Sequence, residues 1–309
     1  MTFPLQYQDA LSAALTALWS GGRFPHALMF EGPAGSGKRT VAHYAAALLL
    51  CRNPAQSPCG ECPSCRKLTS GSHPDFVALY PEGKSKTIGV EQVRALRSAA
   101  YIAPHESPRK VFYIPEAQKL RIEAQNALLK LIEEPPASAY FIFTAPGRSS
   151  LLETVCSRLS ILTLRTLDED ARFSVLKTLL PEENPALLKE QAALCPTVGQ
   201  ALDSLQDPTT RQRAQDAATL LQAIARRDRY AVLKLLAGYE KDREQFALLL
   251  IALRSAVIAQ LATQGRLFSP LHSTQIIAII DEMAQRSAQN VGIALISAAA
   301  VNRLVNAAS

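Results

Sequence analysis

The chain has 309 residues, of which 48% are hydrophobic and 19% are charged, and its formal net charge is +6. This balance places it among ordinary globular proteins of two or three domains and excludes a disordered chain. The mild positive charge permits contact with nucleic acid but does not by itself predict it.

The sequence predicts neither a membrane span nor a secreted protein. Its apolar runs fall short of the roughly 20 residues that cross a bilayer, and FALLLIAL, for example, ends at Arg254. The start of the chain carries Asp9 and lacks the basic residues of a secretory signal. We therefore expect a cytoplasmic protein whose six cysteines are thiols or metal ligands, not disulfides.

Up to about residue 165, short β-like runs alternate with helical patterns, which predicts a parallel α/β sheet. The predicted strands are ALMFEG (27–32), DFVALY (75–80), KVFYI (110–114), YFIFTA (140–145) and SILTLR (160–165). The predicted helices between them are VAHYAAALLL (41–50), VEQVRALRSAA (90–100) and AQNALLKLIEE (124–134). The last should stop at Pro135-Pro136, because proline cannot continue a helix.

From Thr166 onward the pattern is helical throughout. LDEDARFSVLKTLL (167–180) and PALLKEQAAL (185–194) predict a small all-α unit that ends at residue 207. The remainder is rich in alanine and leucine with helical periodicity. We therefore predict three domains, which span residues 1–165 (α/β), 166–207 (small helical unit) and 208–309 (helical bundle).

The stretch GPAGSGKRT contains the complete G-x-x-x-x-G-K frame of a phosphate-binding loop. In such a loop the backbone amides surround the phosphates, the lysine reaches their oxygens, and the following helix adds its positive dipole. The candidate nucleotide-binding residues are Gly32, Gly35, Ser36, Gly37, Lys38, Arg39 and Thr40. The alternative is a glycine-rich turn with an exposed lysine, which the predicted strand and helix on either side disfavour.

Two magnesium ligands of a hydrolytic site are missing from the sequence. Arg39 stands where the loop should carry a hydroxyl, and Thr40 comes one residue late, about 100° around the helix. Pro115-Glu116 stands where a hydrolytic protein has Asp-Glu, so that the metal-holding aspartate is absent. Glu116 could equally be a helix N-terminal acid without catalytic use. The sequence thus predicts nucleotide or anion binding without efficient hydrolysis.

Four cysteines form the pattern C-x7-C-x2-C-x2-C, namely Cys51, Cys59, Cys62 and Cys65. The short spacings, with Gly60 and Pro63 between ligands, suit tight turns around a tetrahedral zinc ion. We predict a structural zinc module over residues 51–65; disulfides or a chance cluster are the alternatives that a cytosolic chain disfavours. Cys156 and Cys195 are expected to be ordinary buried thiols.

The five histidines are scattered along the chain. Among them, His26 and His73 are expected to be turn or packing residues.

A cysteine cluster directly after a phosphate-loop helix is an unusual combination. Together with HALMFEGPAGSGK, SGSHPD, IGVEQVR, NALLKLIEEPP and CSRL, it resembles bacterial clamp-loader subunits of the AAA+ class. The resemblance is densest over residues 20–165 and continues more weakly to the C-terminus, and NALLKLIEEPP (126–136) is its most specific signal. It implies an AAA+ P-loop domain followed by a helical lid (166–207) and an all-α collar (208–309).

Within that family the gamma and tau motor subunits keep their metal residues, whereas delta-prime subunits commonly carry a degraded site, and the sequence is similar to the second group. The resemblance implies that Ser157-Arg158 is the family's Ser-Arg-Cys motif with Leu159 replacing the cysteine, and that Arg158 reaches a neighbouring subunit's ATP site. It also implies that Thr144 is the sensor-1 residue and that Gly199 replaces the sensor-2 arginine. The four cysteines match the family's zinc module.

The implied role is that of a largely non-hydrolysing subunit that works with gamma/tau and delta subunits to load the sliding clamp onto primer–template DNA, as part of the DNA polymerase III holoenzyme. Its implied cofactors are structural zinc and weak or absent ATP or ADP.

The alternative is an active ATPase motor of the gamma/tau type that tolerates Arg39 and Pro115. A zinc-dependent nucleic-acid binder is disfavoured, because the cluster lacks interleaved aromatic residues and a dense basic run. Arg94 and Arg97 could face DNA, although a solvated helix face explains them equally well.

Overall fold

The computed structural model describes residues 9–83, 86–262 and 267–307. The chain folds into two compact units, Met1–Arg165 and Thr166–Ser309. The first is built on a parallel sheet, and the described residues of the second form helices and their connections.

Five parallel strands form the sheet, in the order β2-β3-β4-β1-β5. They are β1 (Ala27–Glu31), β2 (Phe76–Ala78), β3 (Lys110–Ile114), β4 (Ala139–Ala145) and β5 (Ser160–Thr163). Strand β1 lies between β4 and β5, with Leu28 opposite both Ile142 and Ser160. The prediction of a parallel α/β fold is confirmed, and each predicted strand is present within two residues of its expected bounds.

Helices cover both faces of this sheet. They are α1 (Asp9–Ser20), α2 (Lys38–Leu50), α3 (Pro63–Thr69), α4 (Val90–Ala100), α5 (Ile122–Glu133) and the single turn α6 (Glu153–Cys156). Successive residues of a strand face opposite sides, so Leu28 of β1 belongs to the apolar cluster that contains Val41 of α2. Its neighbour Met29 belongs to the cluster that contains Leu96 of α4 and Leu128 of α5. Since both faces are buried, the central strands are mostly apolar, with charged residues such as Glu31 and Lys110 at their ends.

All regular secondary structure in the described part of the second unit is helical. Its helices are α7 (Glu169–Leu179), α8 (Pro185–Leu194), α9 (Val198–Gln206), α10 (Pro208–Ala225), α11 (Arg229–Ala237), α12 (Arg243–Ala262), α13 (Pro270–Ala288) and α14 (Ile293–Asn306). One apolar cluster includes Leu176 and Leu188, and a larger one includes Phe246 and Leu304. The division of this unit at residue 207 stays a prediction. None of the described helices is long and apolar enough to cross a membrane.

A buried carboxylate fastens a loop to the start of β2. Asp75 is fully buried, and its Oδ1 accepts a hydrogen bond from the amide of His105 at 2.6 Å. Its Oδ2 accepts from the amides of Glu106 (2.8 Å) and Ser107 (2.9 Å). Burial alone would raise the pKa of Asp75, but the three amide hydrogen bonds outweigh it and hold that pKa below its ordinary value.

Replacing this carboxylate by an amide, Asp75→Asn, should lower the free energy of unfolding at pH 7 by about 2–3 kcal/mol, because buried amide donors lose a charged acceptor. The pKa of Asp75 is lowered in the folded state, so its stabilisation is present above about pH 4, the unfolded value, and is lost as the pH falls through the folded pKa. Urea denaturation between pH 7 and pH 3 measures both effects.

The difference between Asp75→Asn and the wild type should therefore shrink below about pH 4. The exposed carboxylate of Asp170 provides a control, and Asp170→Asn should differ little from the wild type at any pH. A difference for Asp75→Asn that stays constant with pH would contradict this account.

Candidate functional site

The phosphate-loop sequence forms the turn between the end of β1 and the start of α2. Gly35 (φ 76°) and Gly37 (φ 89°) have left-handed backbones, which glycine adopts without the steric cost of a side chain. A Cβ atom on Gly32 would lie 3.1 Å from the carbonyl oxygen of Leu164, so a close backbone approach favours glycine there as well. The turn leads into the N-terminus of α2, where backbone amides and the helix dipole favour an anion.

Lys38 lies over this loop. Its Nζ donates to the carbonyl oxygens of Gly32 and Pro33, both at 2.6 Å. Burial lowers the pKa of the Lys38 ammonium to about 8. The Oγ of Ser36 is buried and has no hydrogen-bond partner within the described part of the chain. An ammonium and an unsatisfied hydroxyl beside a helix N-terminus are a donor set that fits a phosphate group.

The residues at the two missing magnesium positions offer no replacement ligand. Arg39 is exposed at the start of α2 and carries a positive charge. The next residue, Thr40, is also exposed and carries a single hydroxyl. After β3, Pro115 is buried and has no side-chain oxygen, and Glu116 is exposed. The carboxylate of Glu116 pairs with Lys119 at 3.1 Å. The sequence-predicted defects are thus found at the ends of the elements that would have to supply the ligands.

The sheet brings Thr144 to the same edge as the phosphate loop. Thr144 is buried in β4, opposite Phe30 of β1, and its Oγ1 accepts a hydrogen bond from the amide of Glu116 at 3.3 Å. The carboxyl ends of adjacent parallel strands are where such folds bind ligands. Gly199 lies in the first turn of α9, in the second unit, and has no side chain to contribute.

Sequence reasoning missed an ion pair at the base of the phosphate loop. Glu31, the last residue of β1, pairs with the guanidinium of Arg148 at 2.8 Å and also accepts hydrogen bonds from the Arg148 amide and the Thr163 hydroxyl. The hydrogen bond from Arg148 is the main cause of the lowered pKa of Glu31. An acid at the end of an apolar strand was the only sequence signal. The pair fastens the loop after β4 to the strand that precedes the phosphate loop.

Arg158 lies two residues beyond α6, and its side chain is 36% exposed. Its guanidinium pairs with the carboxylate of Glu133 at 2.5 Å and donates to the carbonyl oxygen of Thr154 at 2.7 Å. A third acceptor, the hydroxyl of Ser157, lies 3.1 Å away. The candidate finger is therefore held in a defined place at the surface of the first unit.

The four cysteines of the predicted metal module come together. Their sulfur atoms all lie within 4.8 Å of one another, and the Sγ of Cys51 lies 3.6 Å from that of Cys59 and 4.0 Å from that of Cys62. A tetrahedron with metal–sulfur bonds of about 2.3 Å has sulfur atoms about 3.8 Å apart, so the spacing fits such a site. These four residues could bind a metal ion.

The local backbone favours a thiolate at Cys62, whereas burial and the neighbouring Cys62 and Cys51 raise the pKa of Cys65. Burial acts to raise the pKa of Cys62, but hydrogen bonds led by the backbone amides of Arg52 and Cys65 outweigh it and lower that pKa to about 6. Cys156 and Cys195 lie outside the cluster; Cys195 is buried, Cys156 is half-buried, and burial raises the pKa of both thiols.

His73 belongs to a buried polar network beside this cluster. The amide of Asp75 donates to its Nδ1 at 3.0 Å, and its Nε2 lies 2.7 Å from the hydroxyl of Ser64. Since that hydroxyl donates to the carbonyl oxygen of Leu50 at 2.6 Å, Nε2 carries the proton and the ring is neutral. Burial lowers the pKa of His73 accordingly. The network connects α3, which contains Cys65 and begins directly after Cys62, to the end of α2.

Comparison with known proteins places this architecture in a family. The model of a family described as DNA polymerase III, delta subunit, matches residues 7–168. Subunit delta' of DNA polymerase III from Pseudomonas aeruginosa is 39% identical over 183 residues, which cover 58% of this chain and 56% of that protein. Subunit gamma/tau from Mycobacterium tuberculosis is 33% identical over 177 residues, which cover 57% of this chain and 30% of that protein. The chain thus spans about half, or less, of the length of these relatives.

A crystal structure of a DNA polymerase III gamma subunit-related protein from Thermotoga maritima aligns with 97% of this chain and 100% of that chain. Its TM-score is 0.50 and its sequence identity is 15%, so the likeness concerns the fold alone. The match of the family model covers more than half of the chain and includes the phosphate loop, the cysteine cluster and Arg158. The chain therefore belongs to the DNA polymerase III delta subunit family, as its resemblance to delta-prime clamp-loader subunits predicts.

Proposed function

We propose that this chain is the delta-prime-type subunit of a clamp loader that places a sliding clamp on primer–template DNA during replication in the cytoplasm. In this role it hydrolyses little or no ATP itself and supplies Arg158 to the ATP site of a neighbouring motor subunit. One observation carries the proposal: the phosphate loop is complete in form, its magnesium positions hold Arg39 and Pro115, and an exposed arginine is fixed at another surface of the same unit.

The chemistry of the loop supports binding without turnover. Lys38, the hydroxyl of Ser36 and the N-terminus of α2 can hold a phosphate group by charge and hydrogen bonding. Hydrolysis also needs a metal ion between the β and γ oxygens and a group that orients the attacking water. Glu116 follows β3, where a hydrolytic protein has the acid that orients the attacking water, but it is exposed and paired with Lys119. Nucleotide at this site would therefore be a bound ligand, not a substrate.

Arg158 has the properties of a group that acts on another subunit's nucleotide. A guanidinium stays charged, is planar, and can donate to two phosphate oxygens at once as negative charge develops on them. Its side chain is 36% exposed, and the residue lies two positions beyond α6. The Glu133 pair is itself exposed, so its rearrangement to admit a phosphate costs little.

We further propose that the cysteine module holds zinc in a structural role. Four thiolates fill a tetrahedral coordination sphere and leave no position for a reacting water. A zinc ion at this place would bind α3 to the end of α2 and stabilise residues 51–65. No step of ATP hydrolysis or clamp loading is assigned to it.

The second unit is proposed to divide into a lid, residues 166–207, and a collar, residues 208–309, that packs against partner subunits. Large apolar side chains are exposed on two helices that contact each other, namely Tyr230 (75%) and Leu233 (42%) on α11 and Leu295 (68%) on α14. We propose that these side chains are covered by a partner subunit in the assembled complex. The proposed partners are gamma/tau and delta subunits, with the sliding clamp and primed DNA engaged through the complex.

An active motor of the gamma/tau type is the alternative, because a gamma/tau subunit is also similar over the first part of the chain. Direct DNA contact is a minor element of the proposal and would involve Arg94, Arg97 and Lys130, which line one cavity between α4 and α5. The motor alternative is tested with the purified chain.

Purified alone, the chain should hydrolyse ATP at background rates, and Lys38→Ala should leave that background unchanged. Reconstituted with the gamma/tau and delta subunits of the same organism, Arg158→Ala should reduce turnover at the neighbouring site by about 10³-fold or more, the value of a finger given in trans. The measurement is the steady-state ATPase rate of the whole complex, which should fall by the fraction that this site contributes.

The matched control for this experiment is Arg23→Ala, which removes an exposed arginine near the start of β1 and should leave the rate of the complex unchanged. Brisk ATP hydrolysis by the isolated chain that disappears in Lys38→Ala would instead favour the motor. An unchanged ATPase rate in the complex with Arg158→Ala would show that Arg158 does not act as an arginine finger.

The metal module generates a separate prediction. Purified chain should contain about one equivalent of zinc, and Cys62→Ser should lose most of it because one of four thiolates is removed. Plasma mass spectrometry measures the metal, and limited proteolysis should reveal new cleavage within residues 51–65 of the variant. Cys156→Ser, outside the cluster, should keep its zinc. Full zinc retention in Cys62→Ser would refute the proposed ligand set.

A further inference from the structure

Glu133 is the last residue of α5 and lies 25 positions before Arg158 in the sequence. Its Oε1 accepts from the Nε of Arg158 at 2.5 Å and also lies 2.5 Å from Nη2. One carboxylate oxygen therefore meets the edge of the guanidinium that carries Nε and Nη2. Two charged donors share this acceptor, which fixes the direction in which that edge of the guanidinium points.

A second set of acceptors meets the opposite side of the same group. The Nη1 atom of Arg158 donates to the carbonyl oxygen of Thr154 at 2.7 Å and to the hydroxyl of Ser157 at 3.1 Å. Thr154 belongs to the single turn α6, which is too short to be rigid by itself. Glu133, by contrast, extends from a helix of 12 residues. The carboxylate is thus the contact that connects the guanidinium to a well-packed element.

The carboxylate of Glu133 would be unfavourable at its position in α5 without a positively charged partner. A carboxylate in the last turn of a helix meets the negative end of the helix dipole, which disfavours it. The buried neighbours Leu131 and Ile132 hold the end of α5 against the sheet, and Pro135-Pro136 ends the helix at this point. A cation beside Glu133 offsets the unfavourable charge, and Arg158 supplies it.

We propose that Glu133 is a positioning residue for the finger: it holds the guanidinium of Arg158 in the orientation in which a neighbouring subunit's triphosphate receives it. This inference rests on the proposed function of Arg158. Because both side chains are partly exposed, at 36% for Arg158 and 40% for Glu133, the pair orients the finger without burying it. Arg158 acts on the phosphate, and Glu133 acts only through Arg158.

The test measures kcat and KM for ATP in the reconstituted complex with four versions of this chain: wild type, Glu133→Gln, Arg158→Ala and the double variant. Glu133→Gln keeps the shape of the side chain and removes its charge. We expect kcat at the affected site to fall about two- to fivefold, which is the range that an exposed ion pair contributes, with KM unchanged. In the Arg158→Ala background, Glu133→Gln should cause no further loss, since its effect passes through the arginine.

Glu134→Gln, a change at the adjacent exposed carboxylate, is the matched control and should leave kcat unchanged. Gel filtration of each complex checks that assembly is equal. A loss from Glu133→Gln that adds to that of Arg158→Ala, or a rise in kcat, would overturn the positioning role. If Arg158→Ala lowers the rate and Glu133→Gln does not, only the positioning role fails, whereas an inert Arg158→Ala refutes the finger itself.

Discussion

The pairing of β1 between β4 and β5 is the constraint on which the functional surface of this protein depends. It buries β1 on both faces and places the phosphate loop directly beyond its last residue, Glu31. The same pairing sets Thr144 of β4 beside Phe30 and brings the chain after β5 so close to Gly32 that a side chain there would meet Leu164. Helix α2 begins at Lys38 in the phosphate loop, and Cys51, the first cysteine of the cluster, directly follows its last residue. One helix, roughly 20 Å long, thus connects the phosphate loop to the cysteine cluster.

This arrangement explains how the loop keeps its form while Arg39 and Pro115 stand where a hydrolytic loop would carry metal ligands. The ammonium of Lys38 satisfies the carbonyl oxygens of Gly32 and Pro33 within the loop itself. Backbone oxygens that are left without a donor are costly when buried. The lysine and the glycines therefore have a structural use that is independent of ATP hydrolysis. Arg39 and Thr40, by contrast, are exposed, and the fold places no comparable demand on them.

Local patterns in the sequence were sufficient for the five strands, for the helices α2, α4 and α5 between them, and for each cluster of adjacent functional residues. The strands β1 and β3 are mostly apolar runs, helix α4 has the bounds that its periodicity predicts, and the cysteine spacing predicted that the four sulfur atoms cluster. Contacts between distant positions were not predictable in this way. The Glu31–Arg148 pair joins residues 117 positions apart, and His73, expected to be a turn or packing residue, lies at the centre of a buried polar network. Such contacts depend on which strands become neighbours, and no local pattern encodes that order.

Two arginine–carboxylate pairs of the first unit, Glu31–Arg148 and Glu133–Arg158, differ in a way that matches their proposed uses. Glu31 is buried and receives three hydrogen bonds, so its removal would leave Arg148 and a strand end without their acceptor. Glu133 is exposed, and water can replace it at small cost. The first pair suits a fixed connection between two loops. The second suits a group that must be oriented in the isolated subunit and yet remain available to a phosphate, and a planar guanidinium can meet both requirements because it has donors on more than one edge.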